Sequence, residues 1–102
     1  MQLVNLLLLS RASRKFPAAR KPLEEWAQTV QASVWTSLQE VRRTYPGADG
    51  VAVRSGGIIT VFNIGGNKYR LLTSIFYGSQ RLYLIEFLTH AEYTKGRWKD
   101  RL

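Results

Sequence analysis

Lys68 and Arg70 stand two residues apart in GGNKYRLL, directly after a paired-glycine turn, and His90 and Tyr93 stand three apart in THAEYTK, which also carries Lys95. A strand sends alternate side chains to one face, so Lys68 and Arg70 should point the same way. A helix brings residues three apart to one side, so His90 and Tyr93 should be neighbours. An imidazole, a phenol, a guanidinium and ammonium groups suit one reaction in particular. Attack of an RNA 2′-hydroxyl on the adjacent phosphorus needs a proton acceptor, cations for the charge of the phosphorane, and a donor for the leaving 5′-oxygen. Arg70 would grip phosphate through two parallel hydrogen bonds and Lys68 would act as a point charge. Tyr93 would stack on a base or donate a proton. The residue types leave open which group is base and which acid. They also suit a second reading, a basic module that holds RNA or an acidic protein segment without cutting anything.

Other chemistries find little support. The chain has no cysteine and one histidine, which excludes disulfide scaffolds, thiolate sites, thiol catalysis and a histidine-rich metal site. No metal site and no cofactor are expected. GGNKY lacks the spacing of a phosphate-binding P-loop and precedes a strand rather than a helix. No G-x-S-x-G elbow is present. Glu24 and Glu25 read as first-turn helix residues rather than a catalytic pair, because adjacent helix positions diverge. Glu86 reads as the partner of a cation across the sheet.

Fifteen Lys and Arg against seven Asp and Glu leave a net charge of +8, which favours a polyanionic partner. The excess sits at the two ends: residues 1–21 carry +5, residues 22–64 carry −1 and residues 65–102 carry +4. Arg11, Arg14, Lys15, Arg81 and Arg97 are therefore candidate RNA-binding positions beside the cluster of Lys68, Arg70, His90, Tyr93 and Lys95.

Positioning these groups requires an α+β fold. At 102 residues the chain is expected to form a single domain, residues 1–102. QLVNLLLL, residues 2–9, reads as a buried or central strand. It is too short to span a membrane, and the run lacks the flanks of a leader peptide. Ser10 would cap a short helix through Phe16. Pro22 would open a second helix, whose stripe is Leu23, Trp26, Ala27 and Val30. A third follows Trp35, with Thr36–Gln39 or Ser37–Glu40 as its capping box and Leu38, Val41 and Tyr45 facing inward. Residues 46–57, rich in glycine, read as a loop. IITVFNI, KYRLLTSIF and RLYLIEFL then alternate with period two around GGN and GSQ turns, an antiparallel meander. Thr89 and Glu92 form a last capping box. The expected order is β-α-α-α-β-β-β-α, a small antiparallel sheet with helices packed on one face. Trp26 is expected in the core, with Trp35 and Trp98 partly buried.

The run VFNIGGNKYRLL, followed by THAEYTK, resembles HigB-type toxins, ribosome-dependent mRNA interferases of the RelE superfamily. The likeness extends over nearly the whole chain, through the Pro-Leu-x-x-Trp helix and the Tyr-Pro-x-Ala-Asp segment. The positions that match the motif are Asn67, Lys68, Arg70, His90, Glu92, Tyr93 and Lys95. The resemblance implies a RelE-like fold and a type II toxin–antitoxin module, acting in the cytoplasm on mRNA in the ribosomal A site. It implies a HigA-like helix-turn-helix antitoxin, with operator DNA bound only through the toxin–antitoxin complex, and no membrane partner. The chain departs from many relatives at Ile85, where they carry arginine, and at Thr94, where they carry aspartate. Arg81, on the same strand face as Ile85, is the candidate to supply the missing cation.

Overall fold

The computed structural model describes residues 1–102. In chain order the elements are β1 (Gln2–Val4), α1 (Leu7–Lys15), a 3-10 turn (Pro17–Ala19), α2 (Arg20–Gln31), α3 (Leu38–Thr44), β2 (Asp49–Ala52), β3 (Ile58–Ile64), β4 (Tyr69–Phe76), β5 (Arg81–Thr89), α4 (His90–Lys95) and α5 (Trp98–Arg101). The sheet has five strands in the order β1-β5-β4-β3-β2. The meander and β2 are antiparallel, whereas β1 runs parallel to β5. The architecture is α+β, as expected, with a mixed sheet.

The opening apolar run behaves differently from its expected role. Its strand ends at Val4 and lies at the sheet edge, not its centre. Asn5 adopts φ 76°, a left-handed conformation that asparagine tolerates better than most residues, and the chain turns. Leucine is a strong helix former, and Leu8, Ala12 and Phe16, spaced by four, give α1 its inward face. Ser10 therefore lies inside α1 and does not cap it.

Similar adjustments occur in the other helices. α2 begins at Arg20, so Pro22 sits third in the helix, where no intrahelical N–H bond is lost. Glu24 and Glu25 fall beyond the first turn, and Glu24 pairs with Arg20 at 3.2 Å. Of the two overlapping capping boxes before α3, Ser37 is the cap: its Oγ accepts from the Glu40 N–H at 3.3 Å. Thr36 instead donates to the Glu40 carboxylate through its N–H and its hydroxyl.

Helices cover both faces of the sheet. α1, α2 and α3 pack one face over Leu3, Phe62, Ile64, Leu71, Leu82 and Leu84. α5 crosses to the opposite face, where Trp98 seals Val53, Ile59, Val61, Leu72 and Leu88. Trp35 and Trp98 are both buried, not partly exposed. Tyr69 packs against Phe16 and Phe87 on the three-helix face. Part of the glycine-rich segment, Asp49–Ala52, is a strand paired with β3, not loop. It turns back through residues 53–57, closed by the Val53 N–H to Gly57 C=O bond at 3.0 Å.

Candidate active site on the α5 face

The turn between β3 and β4 is built by Gly65 and Gly66, at φ 64° and 69°, a region where side chains other than glycine are strained. It delivers Lys68 to the start of β4. β4 and β5 then pair so that Tyr69 lies opposite Thr89 and Arg70 opposite Leu88. The His90 N–H donates to the Lys68 carbonyl at 2.9 Å, which sets Lys68 and His90 side by side at one end of the sheet. Both side chains are exposed.

Arg70 is buried, at 9% exposure, on the face that α5 covers. Its Nη1 donates to the carbonyls of Asn67 at 3.2 Å and Tyr69 at 3.0 Å, and Nη2 donates to the Asn67 side-chain oxygen. These bonds fix the turn. They also leave two of the five guanidinium N–H groups, on Nε and Nη2, which can serve an anion in parallel. No carboxylate forms an ion pair with Arg70: the three pairs of the protein are Arg20–Glu24, Arg42–Asp49 and Arg101–Glu86. The expected partnership of Glu86 with a cation is thus formed with Arg101 of α5.

The guanidinium carbon stands 5.6 Å from the centre of the Tyr93 ring. Tyr93 in turn stacks on Trp98, 5.2 Å between centroids and 18° between planes, while Trp98 Nε1 donates to the Tyr93 carbonyl at 3.1 Å. Arg70, Tyr93 and Trp98 form a three-layer stack. Burial pushes the Tyr93 phenol above its ordinary value of 10.0, and the Asp49 carboxylate adds to that, against the opposing pull of Arg70.

α4 presents these groups through its cap. The Thr89 hydroxyl accepts from the Glu92 N–H at 3.2 Å, and the Glu92 carboxylate accepts from the Thr89 N–H at 3.1 Å, a complete capping box. The Thr89 backbone N–H, then its hydroxyl, Lys15 and Lys95, hold the Glu92 carboxyl below its usual value of 4.5. Gly96, at φ 73°, ends the helix in the left-handed conformation glycine permits. Beside it Lys95, Arg97 and Arg101, with Glu92, line a cavity of about 170 Å³ over Leu88 and Trp98.

Lys68, Arg70, His90 and Tyr93 are thus gathered at one sheet end, with Lys95 and Arg97 adjoining. Arg81 is not with them. It pairs with Phe76 at the far end of β5, eight residues from Thr89 and roughly 26 Å along the strand, so it cannot supply a cation here. Arg11, Arg14 and Lys15 lie on α1, which packs on the other face, although Lys15 comes near enough to α4 to draw the Glu92 carboxyl down. Two neighbours escaped the sequence reading. Asn63 sits opposite Arg70, and Asp49, opposite Val61, shares the α5 face. The Tyr-Pro-x-Ala-Asp segment carries the signal for Asp49, which opens β2 rather than lying in a loop. No three His, Asp or Glu side chains gather within ligating reach of one another, and no helix is long and apolar enough to cross a membrane.

The sequence of this α+β chain places it with the RelE-like toxic components of toxin–antitoxin systems. Residues 19–96 match the HigB toxin family of that description, and the chain is a member of that family. It is similar to the mRNA interferase toxin HigB of Escherichia coli K12, 28% identical over 93 residues that cover 91% of this chain and 88% of the relative. The mRNA interferase HigB of Shigella flexneri shows the same identity and coverage. That of Escherichia coli O6:H1 is 23% identical over 95 residues, 93% of this chain and 90% of the relative.

Proposed function

We propose that the chain is a ribosome-dependent mRNA endoribonuclease that cuts by attack of the 2′-hydroxyl and needs no metal ion. The relatives named mRNA interferase support RNA cleavage. The observation that carries the mechanism is Arg70, a buried cation with no carboxylate and two N–H groups to give. A buried charge without a counter-charge is costly, and a scissile phosphate would supply that counter-charge. Lys68 adds a second cation to the phosphorane. His90 takes the 2′-hydroxyl proton as the O2′–P bond forms. Tyr93, whose raised phenol keeps its proton at neutral pH, protonates the 5′-oxygen as the P–O5′ bond breaks, leaving a cyclic phosphate and a 5′-hydroxyl. Lys95 and Arg97 hold the flanking RNA backbone. In this reading the chain works in the cytoplasm, and a HigA-like helix-turn-helix antitoxin restrains it and carries it to operator DNA.

The test is mapping of mRNA 5′ ends after the purified chain is mixed with translating ribosomes. New ends are expected with the intact chain and not with a His90→Ala variant that still folds. Intact transcripts with both would sink the proposal. One observation favours the alternative, a module that binds without cutting: Ile85 is apolar and Arg81 is remote, so the site holds one cation fewer than the family pattern implies. That reading predicts salt-sensitive retention on ribosomes and no new ends.

A further inference from the structure

The turn that delivers Lys68 borders a second feature, which the proposed reaction leaves unused. A groove of about 420 Å³ lies there, between α2, Tyr45 and the end of β3. Asn63, Gly65 and Gly66 line it, and they tie it to the candidate site: Asn63 stands opposite Arg70, and the two glycines lead to Lys68. Asn63 is exposed, and Gly47 leaves its amide room, since a Cβ there would stand 2.8 Å from Nδ2. On the α2 wall Trp26 is 2% exposed and its indole N–H has no acceptor, an uncommon state for a buried donor. Next to it is Glu25. On a chain of net charge +8 its carboxylate is in no ion pair, whereas Arg20, Arg42 and Arg101 hold Glu24, Asp49 and Glu86. Glu40 and Glu92 accept from Thr36 and Thr89. An uncommitted carboxylate therefore lines a groove that adjoins a cluster of cations.

We infer that this groove receives a guanine base of the RNA strand, beside the phosphate that Arg70 and Lys68 hold. The carboxylate decides the class of ligand: it repels a phosphate and accepts from N–H groups. Among the four bases guanine alone offers a carboxylate two neighbouring donors, N1–H and the 2-amino group, on the edge that unpaired RNA exposes. Its O6 is an acceptor for the Asn63 amide. Trp26, Tyr45 and Ile64 supply ring and apolar surface for the base. A protein segment would have to bring a basic side chain to Glu25 and still lie against the cations of the site, which is poor complementarity. The inference rests on the proposed reading of that site as one that holds RNA, and adds to it a preference for sequence.

The probe is a fluorescent 2′-O-methyl oligouridylate with one central guanine, which 2′-hydroxyl attack cannot cut. It is compared with oligomers that carry adenine or hypoxanthine at that place. By anisotropy the guanine oligomer should bind the full chain about tenfold or more tighter than the adenine one. Hypoxanthine, which lacks the 2-amino group, should fall between them. Glu25 is exposed and alanine favours helix, so Glu25→Ala should fold, and it should erase the difference. The Trp26 indole N–H resonance should shift with the guanine oligomer and not with the adenine one. Equal binding of the three oligomers, or binding of none, would overturn the inference and leave the groove to a basic protein segment. So would a guanine preference that survives Glu25→Ala, or one that leaves the Trp26 resonance in place. Guanosine monophosphate should compete about tenfold less well or worse, because it lacks the flanking phosphates; equal potency would make this a site for free nucleotides and overturn the assignment to RNA. Binding is read without ribosomes. A chain that prefers guanine and cuts nothing refutes only the proposed reaction, and one that cuts mRNA yet binds the three oligomers alike refutes only the inference.

Discussion

Asn67 shows how a single residue type decides what Arg70 can do. Its carbonyl and its side-chain oxygen both accept from the guanidinium, and both are neutral. They hold the cation in place and leave its charge for an anion. Asn67→Asp keeps the shape and adds a carboxylate at that point. Stability is expected to stay level or rise by about 1 kcal/mol, because the variant gains a charge-assisted bond. Ribosome-dependent cleavage should fall about tenfold or more, because the charge is then neutralised from within. Thermal melts and end mapping on the same preparation check the two opposite signs; a loss of both together would make Asn67 merely structural. Tyr93 allows a complementary cut. Tyr93→Phe preserves the ring between Arg70 and Trp98 and removes only the phenol, so folding should be unchanged. If the phenol is the proton donor, single-turnover cleavage should drop by about a hundredfold. Unchanged turnover would leave Tyr93 as a stacking platform.

At the scale of elements, α4 is six residues long, below the length at which an isolated helix holds together in water, so its cap matters. Thr89→Ala should cost about 1 kcal/mol and loosen the presentation of His90 and Tyr93. The capping acid also gives a pH signature. Glu92 is held below 4.5 in the fold, so its contribution is present above that value and disappears as pH falls through the lower folded value. Glu92→Gln should remove that part of the acid loss of stability, read as a flatter melting temperature on acidification below pH ~5; an unaltered acid limb would refute it. This cap was legible because Thr89 and Glu92 are local. The meander was legible because period two and two glycine or Gly-Ser turns coincide. Three features needed contacts that sequence spacing does not carry. A run of leucines fits strand or helix equally until Asn5 turns the chain. A four-residue edge strand hides in a glycine-rich stretch because its partner, β3, supplies the pairing. In β5 the register slips between Leu72 and Thr73, so Ile85 is an extra residue, a β-bulge. Strict alternation would put Phe87 opposite Leu84; the bulge lets both face the three-helix core. In the candidate site, two short spacings made the pairs Lys68–Arg70 and His90–Tyr93 legible, and the meander's return brought the pairs to one sheet end. The places of Asp49 and Arg81 depend on strand register and length, which local spacing does not carry.

Across the whole molecule the sheet separates two unequal layers. The three-helix side holds a cluster of fifteen buried apolar residues and the α5 side one of six. The candidate site therefore lies on the thinner side, where Trp98, 1% exposed, is the main cover. Its removal by Trp98→Ala should cost about 3–5 kcal/mol, a large part of the total for a domain of this size. The loss should be local. Gly96 separates α4 from α5, and α5 is tied to the remaining structure by few bonds, among them Arg54 N–H to the Lys99 carbonyl at 3.1 Å and the Arg101–Glu86 pair. The core against α2, by contrast, keeps Leu23, Trp26 and Val30 buried without help from Trp98. Native-state hydrogen exchange of the variant is expected to show rapid exchange across residues 90–102 with α2 amides still protected, and cleavage lost because Tyr93 no longer has a ring to stack on. If protection fell equally in α2 and α5, the two layers would be one cooperative unit, and the site could not open without unfolding the protein.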